Sequence, residues 1–158
     1  MIDLPLNIDY SGKVVVVTGA GGLICGTMAR AFAQLGAKVA ALDLNEDAVM
    51  ELQNDLTSKG FICKGYRVNV LEHESLSRVH AAVKHNLGSC DILINGAGGN
   101  NPKGSTSKDY FDPADEALED VKTFFDLDPD GISFVFNLNF LGTLLPTQVF
   151  AHDLIGKK

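Results

Sequence analysis

The chain has 158 residues, of which 46% are hydrophobic and 21% are charged, and this composition is typical of one globular domain with a substantial core. Its formal net charge of −7 argues against a broad basic surface and therefore against nucleic acid as a partner. The N-terminal residues form no basic leader and no apolar run suggests a membrane span, so we expect a cytoplasmic protein with no membrane partner.

The spacing of the cysteines and histidines predicts neither a disulfide framework nor a zinc site. The three cysteines form no C-x-x-C pair, and the four histidines form no H-x-x-x-H pair.

The excess negative charge is concentrated in one segment. Nine carboxylates and a single lysine lie between Asp109 and Asp130, which leaves the rest of the chain nearly neutral. The acidic character therefore belongs to one segment, whose role the sequence does not define.

Apolar runs alternate with amphipathic stretches over the first 95 residues. The predicted strands are residues 13–18, 38–44, 61–70 and 91–95, and the predicted helices are residues 23–35, 46–59 and 72–87. On the first helix the apolar and small residues at helical spacing are Met28, Ala31, Phe32 and Leu35. Strands that alternate with helices of this length predict βαβ units and a parallel sheet with helices on both sides.

The regular alternation stops after the fourth predicted strand. Residues 96–130 form a connection far longer than usual, typical of a functional or mobile loop, and residues 132–154 are expected to form a largely buried helix. The D-x-D-x-D-G run that starts at Asp126 resembles a calcium loop, but Asn137 stands where that loop needs a bidentate glutamate. We therefore predict helix capping by these acids and no metal site.

A glycine cluster joins the first predicted strand to the first helix. Gly19, Gly21, Gly22 and Gly26 allow positive φ in the turn and let backbone N–H groups approach a pyrophosphate at the helix N-terminus. Ile24 stands where a strict G-x-G-x-x-G pattern has its third glycine. A tight turn without a ligand is therefore the alternative for this cluster.

Asp43 closes the second predicted strand. A carboxylate in this place accepts hydrogen bonds from the adenosine ribose hydroxyls and repels a 2′-phosphate. No arginine in residues 44–48 or in the glycine cluster reverses that preference, so NAD is favoured over NADP. The alternative is a solvated acid or an N-cap for the helix that begins at Glu46.

Four further motifs occur in a characteristic order. They are SGKVVVVTG at the first strand, VNV ending at Val70, ILINGAGG at the fourth strand and LNFLGT in the last helix. Together they resemble the short-chain dehydrogenase/reductase superfamily, from about Asn7 to the end of the chain. The loop NNPKGSTS and the later FFDLDPDG are similar to the D-mannonate oxidoreductase (fructuronate reductase) group within it.

The resemblance implies a Rossmann-type doubly wound parallel sheet with strand order 3-2-1-4 within this chain. It also implies NAD as cofactor, a sugar acid such as D-fructuronate or D-mannonate as substrate, and a homotetramer of the full-length parent. Asn69 and Val70 would contact adenine, and Asn139 would be the asparagine of the catalytic network. The predicted cofactor-binding residues are Thr18, Gly19, Gly21, Gly22, Leu23, Ile24, Asp43, Leu44, Asn69, Val70, Asn95, Gly96, Ala97 and Gly98.

A polar triplet follows the fourth strand directly. Asn100, Asn101 and Lys103 would lie at the carboxyl end of the sheet, where open α/β sheets bind ligands, and the lysine could attract a sugar-acid carboxylate. We therefore predict that these residues bind the substrate. A polar surface loop with a solvated lysine is the alternative.

The chain departs from the family pattern at two places. The usual T-G-x-x-x-G-x-G motif would have glycine where this chain has Leu23 and Cys25. None of the three tyrosines is followed four residues later by lysine, so the family's Tyr-x-x-x-Lys, like its catalytic serine, has no counterpart.

We therefore expect residues 1–158 to be an incomplete NAD-binding domain, with an acidic insertion at about 99–130, that forms the N-terminal part of a larger enzyme. The chain is expected to be inactive alone, and either poorly stable or associated. The alternatives are a non-catalytic dinucleotide-binding module and a reductase or epimerase that acts on another substrate.

Overall fold

The computed structural model describes residues 8–157, which form a four-stranded parallel sheet between two layers of helices. The strands are β1 (Val14–Thr18), β2 (Lys38–Asp43), β3 (Cys63–Arg67) and β4 (Ile92–Ile94), in the order β3-β2-β1-β4. The helices are α1 (Leu23–Gln34), α2 (Glu46–Ser58), α3 (His73–Asn86), α4 (Pro129–Phe136) and α5 (Gly142–Phe150). The predicted α/β class and the strand order 3-2-1-4 are confirmed.

The central strand β1 is buried on both faces. Val15 and Val17 pack on the side of α1 and α2, whereas Val14 and Val16 pack on the side of α3 and α5. A strand covered on both faces has no polar alternation, which explains why its run of four valines was recognisable in the sequence.

Helix α1 turns a different face to the sheet from the one expected. Its buried residues are Cys25, Gly26, Ala29 and Ala33. Met28 is exposed, and Phe32 lies at the edge of the core against the ring of Tyr10, with ring centroids 5.2 Å apart. The smallest side chains face the sheet because the helix lies close to β1, so apolar size was a poor guide to the buried face.

Strand β3 is shorter than the predicted run of residues 61–70. It ends at Arg67, because its partner β2 ends at Asp43 and the last backbone contact between them is the N–H of Val68 donating to the Asp43 carbonyl at 2.8 Å. Val68, Asn69 and Val70 therefore leave the sheet and follow its carboxyl edge.

The C-terminal helical region is broken and only partly buried. Between α4 and α5 the residues Asn137–Leu141 form a π-helical turn, and Ala151–Leu154 form a 3₁₀ turn. Phe136 and Phe140 are 69% and 64% exposed, while Phe150 is fully buried. The expectation of one largely buried helix is wrong, because only one narrow stripe of this region packs on α3 and the sheet.

The stretch Pro129–Leu154 is long and apolar enough, by length and composition alone, to cross a membrane. The expectation that no run approaches such a length is therefore wrong. Only 22% of the most apolar window is buried. One such stretch is weak evidence for a span, and Phe150 and Pro146 are buried parts of the folded domain.

The acidic segment is folded into short turns that are fixed to the start of α4. Asp112 with Asp115, and Thr123 with Asp126, each form a capping box at a 3₁₀ turn. Asp128 caps α4 by accepting from the N–H of Asp130 at 2.8 Å. The predicted capping role is confirmed for Asp128, whose pKa these N–H contacts hold below its usual value.

A charged cluster ties the last described turn to the start of β4. The Asp153 carboxylate accepts from the backbone N–H of Cys90 at 2.9 Å and lies 3.0 Å from His80 Nε2. Lys157 Nζ donates to the Cys90 carbonyl at 2.8 Å and to Asp91 at 3.0 Å. These contacts join residues more than sixty positions apart, so no local sequence pattern predicts them.

Replacing Asp153 with alanine is expected to lower the free energy of unfolding at pH 7 by about 1–3 kcal/mol, because the buried N–H of Cys90 loses its acceptor. Burial alone would raise the pKa of Asp153, but the hydrogen bonds from Cys90 and His80 outweigh it and lower the pKa. The ionised side chain therefore stabilises the fold above a pH of about 4, and this contribution is lost as the pH falls through the lowered pKa.

Urea unfolding of the wild type and Asp153→Ala at pH 7 and pH 3 measures both effects. The variant should lose stability at pH 7 and show a weaker dependence on acid than the wild type. Glu51→Ala, which removes an exposed acid on α2, is the matched control. An acid profile of Asp153→Ala that matches the wild type would contradict this account.

Candidate functional site

A cavity of about 300 Å³ opens at the carboxyl ends of the strands, where the sheet order reverses between β1 and β4. It lies between the glycine loop, residues 19–22, and the β4 loop, residues 96–99. Its lining residues are Gly19, Gly22, Asp43, Leu44, Val68, Asn69, Val70, Gly96, Ala97, Gly98 and Leu138. The structure thus brings most of the predicted cofactor residues together around one cleft.

The glycine loop makes a close turn beneath the cleft. Gly19 has φ +69°, and a Cβ at this position would lie 2.7 Å from the carbonyl oxygen of Gly96. Gly22 donates its N–H to the Gly19 carbonyl at 3.0 Å and is the N-cap of α1, whose first turn contains no acid. The helix dipole and free N–H groups therefore make this wall suitable for an anion.

The other predicted loop residues do not line the cleft with their side chains. Leu23 and Ile24 are the first two residues of α1, and their side chains are exposed to solvent. Gly21 faces the start of α2 instead, since a Cβ there would lie 2.9 Å from the Cβ of Ala48 and 3.0 Å from Cγ of Asp43. Glycine at this position makes room for the Asp43 carboxylate.

Asp43 is held at the mouth of the cleft by two backbone N–H groups. Its Oδ2 accepts from Gly21 at 3.0 Å, and its Oδ1 accepts from Asn45 at 2.9 Å. Asn45, not Asp43, is the N-cap of α2. Each carboxylate oxygen keeps capacity for a further hydrogen bond, which is what a ribose hydroxyl requires.

One wall of the cleft is apolar. Val68 and Val70 are buried, and Leu138 from the π-helical turn lines the same cavity. Asn69 between the two valines binds Glu72 through its Nδ2 at 2.8 Å and the N–H of Leu71 through its Oδ1 at 3.1 Å. Val68 and Leu138 were not predicted, although each is next to a predicted residue of the VNV and LNFLGT motifs.

Thr18 and Asn95 support the β4 loop from below. Thr18 is fully buried, and its Oγ1 accepts from the N–H groups of Gly96 at 3.0 Å and Ala97 at 3.1 Å. Asn95 donates from Nδ2 to Oγ1 of Thr147 on α5 at 2.8 Å, and its Oδ1 is buried with no partner among residues 8–157. Neither side chain lines the cavity, so both act on the cleft through the backbone.

Asn139 lies in the π-helical turn beside the β4 loop. Its Nδ2 donates to the carbonyls of Gly99 and Val135, both at 2.8 Å, and its Oδ1 accepts from the N–H of Gly99 at 3.2 Å. A Cβ on Gly98 would lie 2.7 Å from that Oδ1. The structure therefore places Asn139 next to the cleft with its side chain fixing the β4 loop, and the catalytic-network role stays a prediction.

The three predicted substrate residues lie in the loop that follows. Asn100 Oδ1 accepts from Oγ of Ser105 at 2.7 Å, and Asn101 Oδ1 accepts from the N–H of Lys103 at 2.9 Å. Lys103 is exposed, with its Nζ 4.0 Å from Asp128. None of the three lines the cavity, so their assignment to the substrate stays a prediction.

Known proteins match this chain over most of its length. The family model for short chain dehydrogenase matches residues 13–158. An uncharacterised oxidoreductase from Haemophilus influenzae is 45% identical over an alignment of 159 positions, which covers 99% of this chain and 54% of that protein. The uncharacterised oxidoreductase UxuB from Bacillus subtilis is 36% identical over 152 residues, which are 96% of this chain and 53% of that protein.

Solved structures show the same fold. A Haemophilus influenzae protein with bound NAD, assigned provisionally as a D-mannonate oxidoreductase, superposes with a TM-score of 0.91 at 46% identity, over 96% of this chain and 54% of that one. NAD⁺-bound xylitol dehydrogenase superposes with a TM-score of 0.75 at 26% identity, over 92% of this chain and 49% of that one. The chain spans about half the length of the curated relatives it matches. On the extent of the family match and the identity to these relatives, the chain belongs to the short-chain dehydrogenase family.

Proposed function

We propose that this chain forms the cofactor-binding part of an oxidoreductase that transfers hydride between NAD and the carbonyl or alcohol carbon of a sugar acid of the D-fructuronate or D-mannonate type. The observation that carries the cofactor assignment is the cleft, in which a helix N-terminus suited to an anion, the Asp43 carboxylate beside it and an apolar wall border one cavity. The sugar-acid substrate is supported by the similarity to the Haemophilus structure.

Each part of the cleft fits one part of the cofactor. The N–H groups at the start of α1 suit the pyrophosphate, and the Asp43 carboxylate suits the hydroxyls of the adenosine ribose. Val68, Val70 and Leu138 offer apolar surface to a flat base. NAD supplies the hydride-transferring ring when bound, and the residues described here bind and orient the nucleotide half of the molecule.

The proton-transfer groups of the reaction are proposed to lie outside these 158 residues. Tyr66, the tyrosine in β3, accepts a hydrogen bond from Asn86 of α3 at 3.1 Å, and burial raises its pKa, so it is a poor acid–base group in this position. No tyrosine in the sequence has a lysine four positions later. The chain is therefore proposed to bind NAD without catalysing turnover by itself.

Fluorescence titration of the 158-residue chain with NADH tests the cofactor assignment, and steady-state assays with D-fructuronate and NADH test the need for further residues. We expect saturable NADH binding and no turnover. An absence of binding by the folded chain would contradict the cofactor assignment. Clear turnover would contradict the proposal that the acid–base groups lie elsewhere.

The absence of a Tyr-x-x-x-Lys pattern also favours a second candidate, a non-catalytic module that binds a dinucleotide. The gene sequence beyond Lys158 distinguishes the two: a downstream Tyr-x-x-x-Lys supports the enzyme, and a stop codon supports the module. Activity on other carbonyl compounds in a substrate panel would instead indicate a reductase or epimerase of different specificity.

We also propose a cytoplasmic protein that associates with copies of itself, as a tetramer in the full-length parent, and uses neither a membrane nor nucleic acid. The exposed Phe136 at the end of the mostly uncovered α4, and Phe140 in the turn that follows it, support a contact surface of this kind. Size-exclusion chromatography with light scattering measures the association directly. A sharp monomeric peak for the parent protein would contradict it.

A further inference from the structure

We propose that Cys25 and Gly96 form a size-matched pair that sets the distance between the glycine loop and the β4 loop, and through it the affinity for NAD. The inference rests on the proposed function, because it assigns a positioning role within the same cleft. It does not require the Cys25 side chain to touch the cofactor.

The thiol of Cys25 occupies the space that a side chain at position 96 would need. A Cβ built on Gly96 would lie 2.0 Å from Sγ of Cys25, far inside any permitted contact, but 3.5 Å from Cβ of Cys25, which is ordinary van der Waals contact. A thiol at position 25 and a methyl group at position 96 therefore exclude one another. A methyl group at each position avoids this clash, although the Cβ at position 96 would still lie 3.1 Å from the Thr18 carbonyl oxygen.

The thiol has little freedom to move aside. Cys25 is 9% exposed and packs in the core cluster that includes Val15, Val17 and Ala29. Its position in the first turn of α1 limits the rotamers that remain open to it, because the helical backbone disfavours one of the three staggered positions. A side chain introduced at position 96 would therefore displace the β4 loop or α1.

The β4 loop is fixed from two further directions. Oγ1 of Thr18 holds the N–H groups of Gly96 and Ala97, and Gly19 lies so close to them that a Cβ would come within 2.8 Å of the Ala97 nitrogen. Gly19 and Gly96 both line the cavity. A displacement of the Gly96 backbone therefore changes the width of the cleft between its two walls.

Cys25 stands at one of the two positions where the T-G-x-x-x-G-x-G pattern has glycine and this chain does not. Burial, together with the nearby Asp43 carboxylate, raises the pKa of the Cys25 thiol, so it stays neutral and serves as a space-filling group, not as a nucleophile.

A double-mutant cycle on the 158-residue chain tests the pair, with NADH affinity and the free energy of unfolding measured for every variant. Gly96→Ala is expected to weaken NADH binding at least about 10-fold, and Cys25→Ala less than about 3-fold. The double variant should return to within about 3-fold of Cys25→Ala, although a Cβ at 96 stays 3.1 Å from the Thr18 carbonyl and limits the recovery. Cys63→Ala, at a buried cysteine in β3, is the control and should leave NADH affinity unchanged.

Additive effects of the two substitutions on affinity would overturn the pairing. Recovery of stability without recovery of NADH affinity would overturn the positioning role. If Gly96→Ala does not fold, Cys25→Val crowds the same contact from the helix, and unchanged NADH affinity in that folded variant would also overturn the proposal. Failure of the folded wild type to bind NADH overturns the proposed function itself, and is distinguished from the other outcomes because it needs no variant.

Discussion

Replacing Asp43 with serine is expected to weaken NADH binding by about 10- to 100-fold, because hydrogen bonds to a charged acceptor contribute about 1.5–3 kcal/mol. Affinity for NADPH should rise or stay constant, since the 2′-phosphate would no longer lie beside a carboxylate. The ratio of the two affinities is therefore expected to change by about 10-fold or more. Fluorescence titrations of the same preparation with NADH and NADPH measure both quantities.

The matched control for Asp43 is asparagine. Asp43 also accepts from the backbone N–H groups of Gly21 and Asn45, so its removal loosens the glycine loop as well as removing charge. Asp43→Asn keeps the size and one acceptor oxygen but loses the charge, and it should shift the preference towards NADPH with a smaller loss of NADH affinity. Equal weakening of both cofactors in both variants would show that Asp43 acts only through the loop.

The sequence predicts those parts of the fold that depend on local patterns. The valine run of β1, the acid at the end of β2 and the glycine loop are recognisable because each is a short motif whose residue types are required by its own backbone or burial. The capping acid Asp128 belongs to the same class, since its acceptor role involves only the next three residues. Local requirements of this kind can be recognised in the sequence without knowledge of the tertiary structure.

The features that were missed depend on how close two distant segments come. The buried face of α1 is decided by its approach to β1, which favours Ala29 and Ala33 over Phe32. The broken C-terminal helical region packs on α3 along one narrow stripe, and Asp153 meets Cys90 only after the chain has folded. Composition and periodicity contain no measure of these distances, so they predicted a more buried region than the one observed.

The candidate site shows both cases within a few residues. Gly96 was predicted from its motif, but the reason that it must be glycine is the thiol of Cys25, seventy-one positions earlier in the chain. Thr18 was predicted as a cofactor residue, yet it lies beneath the cleft and contacts the β4 loop. Motif matching thus located residues that line or support the cleft, while the structure shows contacts for several of them that the motifs did not indicate.

Replacing Thr18 with valine is expected to lower the free energy of unfolding by about 2–4 kcal/mol, a large part of the 5–15 kcal/mol typical of a domain. Valine has nearly the same shape, so it leaves no cavity, but it removes the acceptor shared by the N–H groups of Gly96 and Ala97. The β4 loop then loses its attachment to β1, so NADH binding should weaken as well. Urea unfolding gives the change in stability, and fluorescence titration gives the change in affinity.

Serine is the matched control, because Thr18→Ser keeps the hydroxyl and removes only a buried methyl group, whose loss costs about 1 kcal/mol. Both variants lose packing or polarity at one fully buried position, so their comparison separates the acceptor from the methyl group. Thr18→Ser should therefore retain NADH affinity while Thr18→Val does not. If the two variants weaken NADH binding equally, the hydroxyl does not hold the β4 loop against β1, and the wall of the cleft must be fixed by the close packing of Gly19, Cys25 and Gly96 alone.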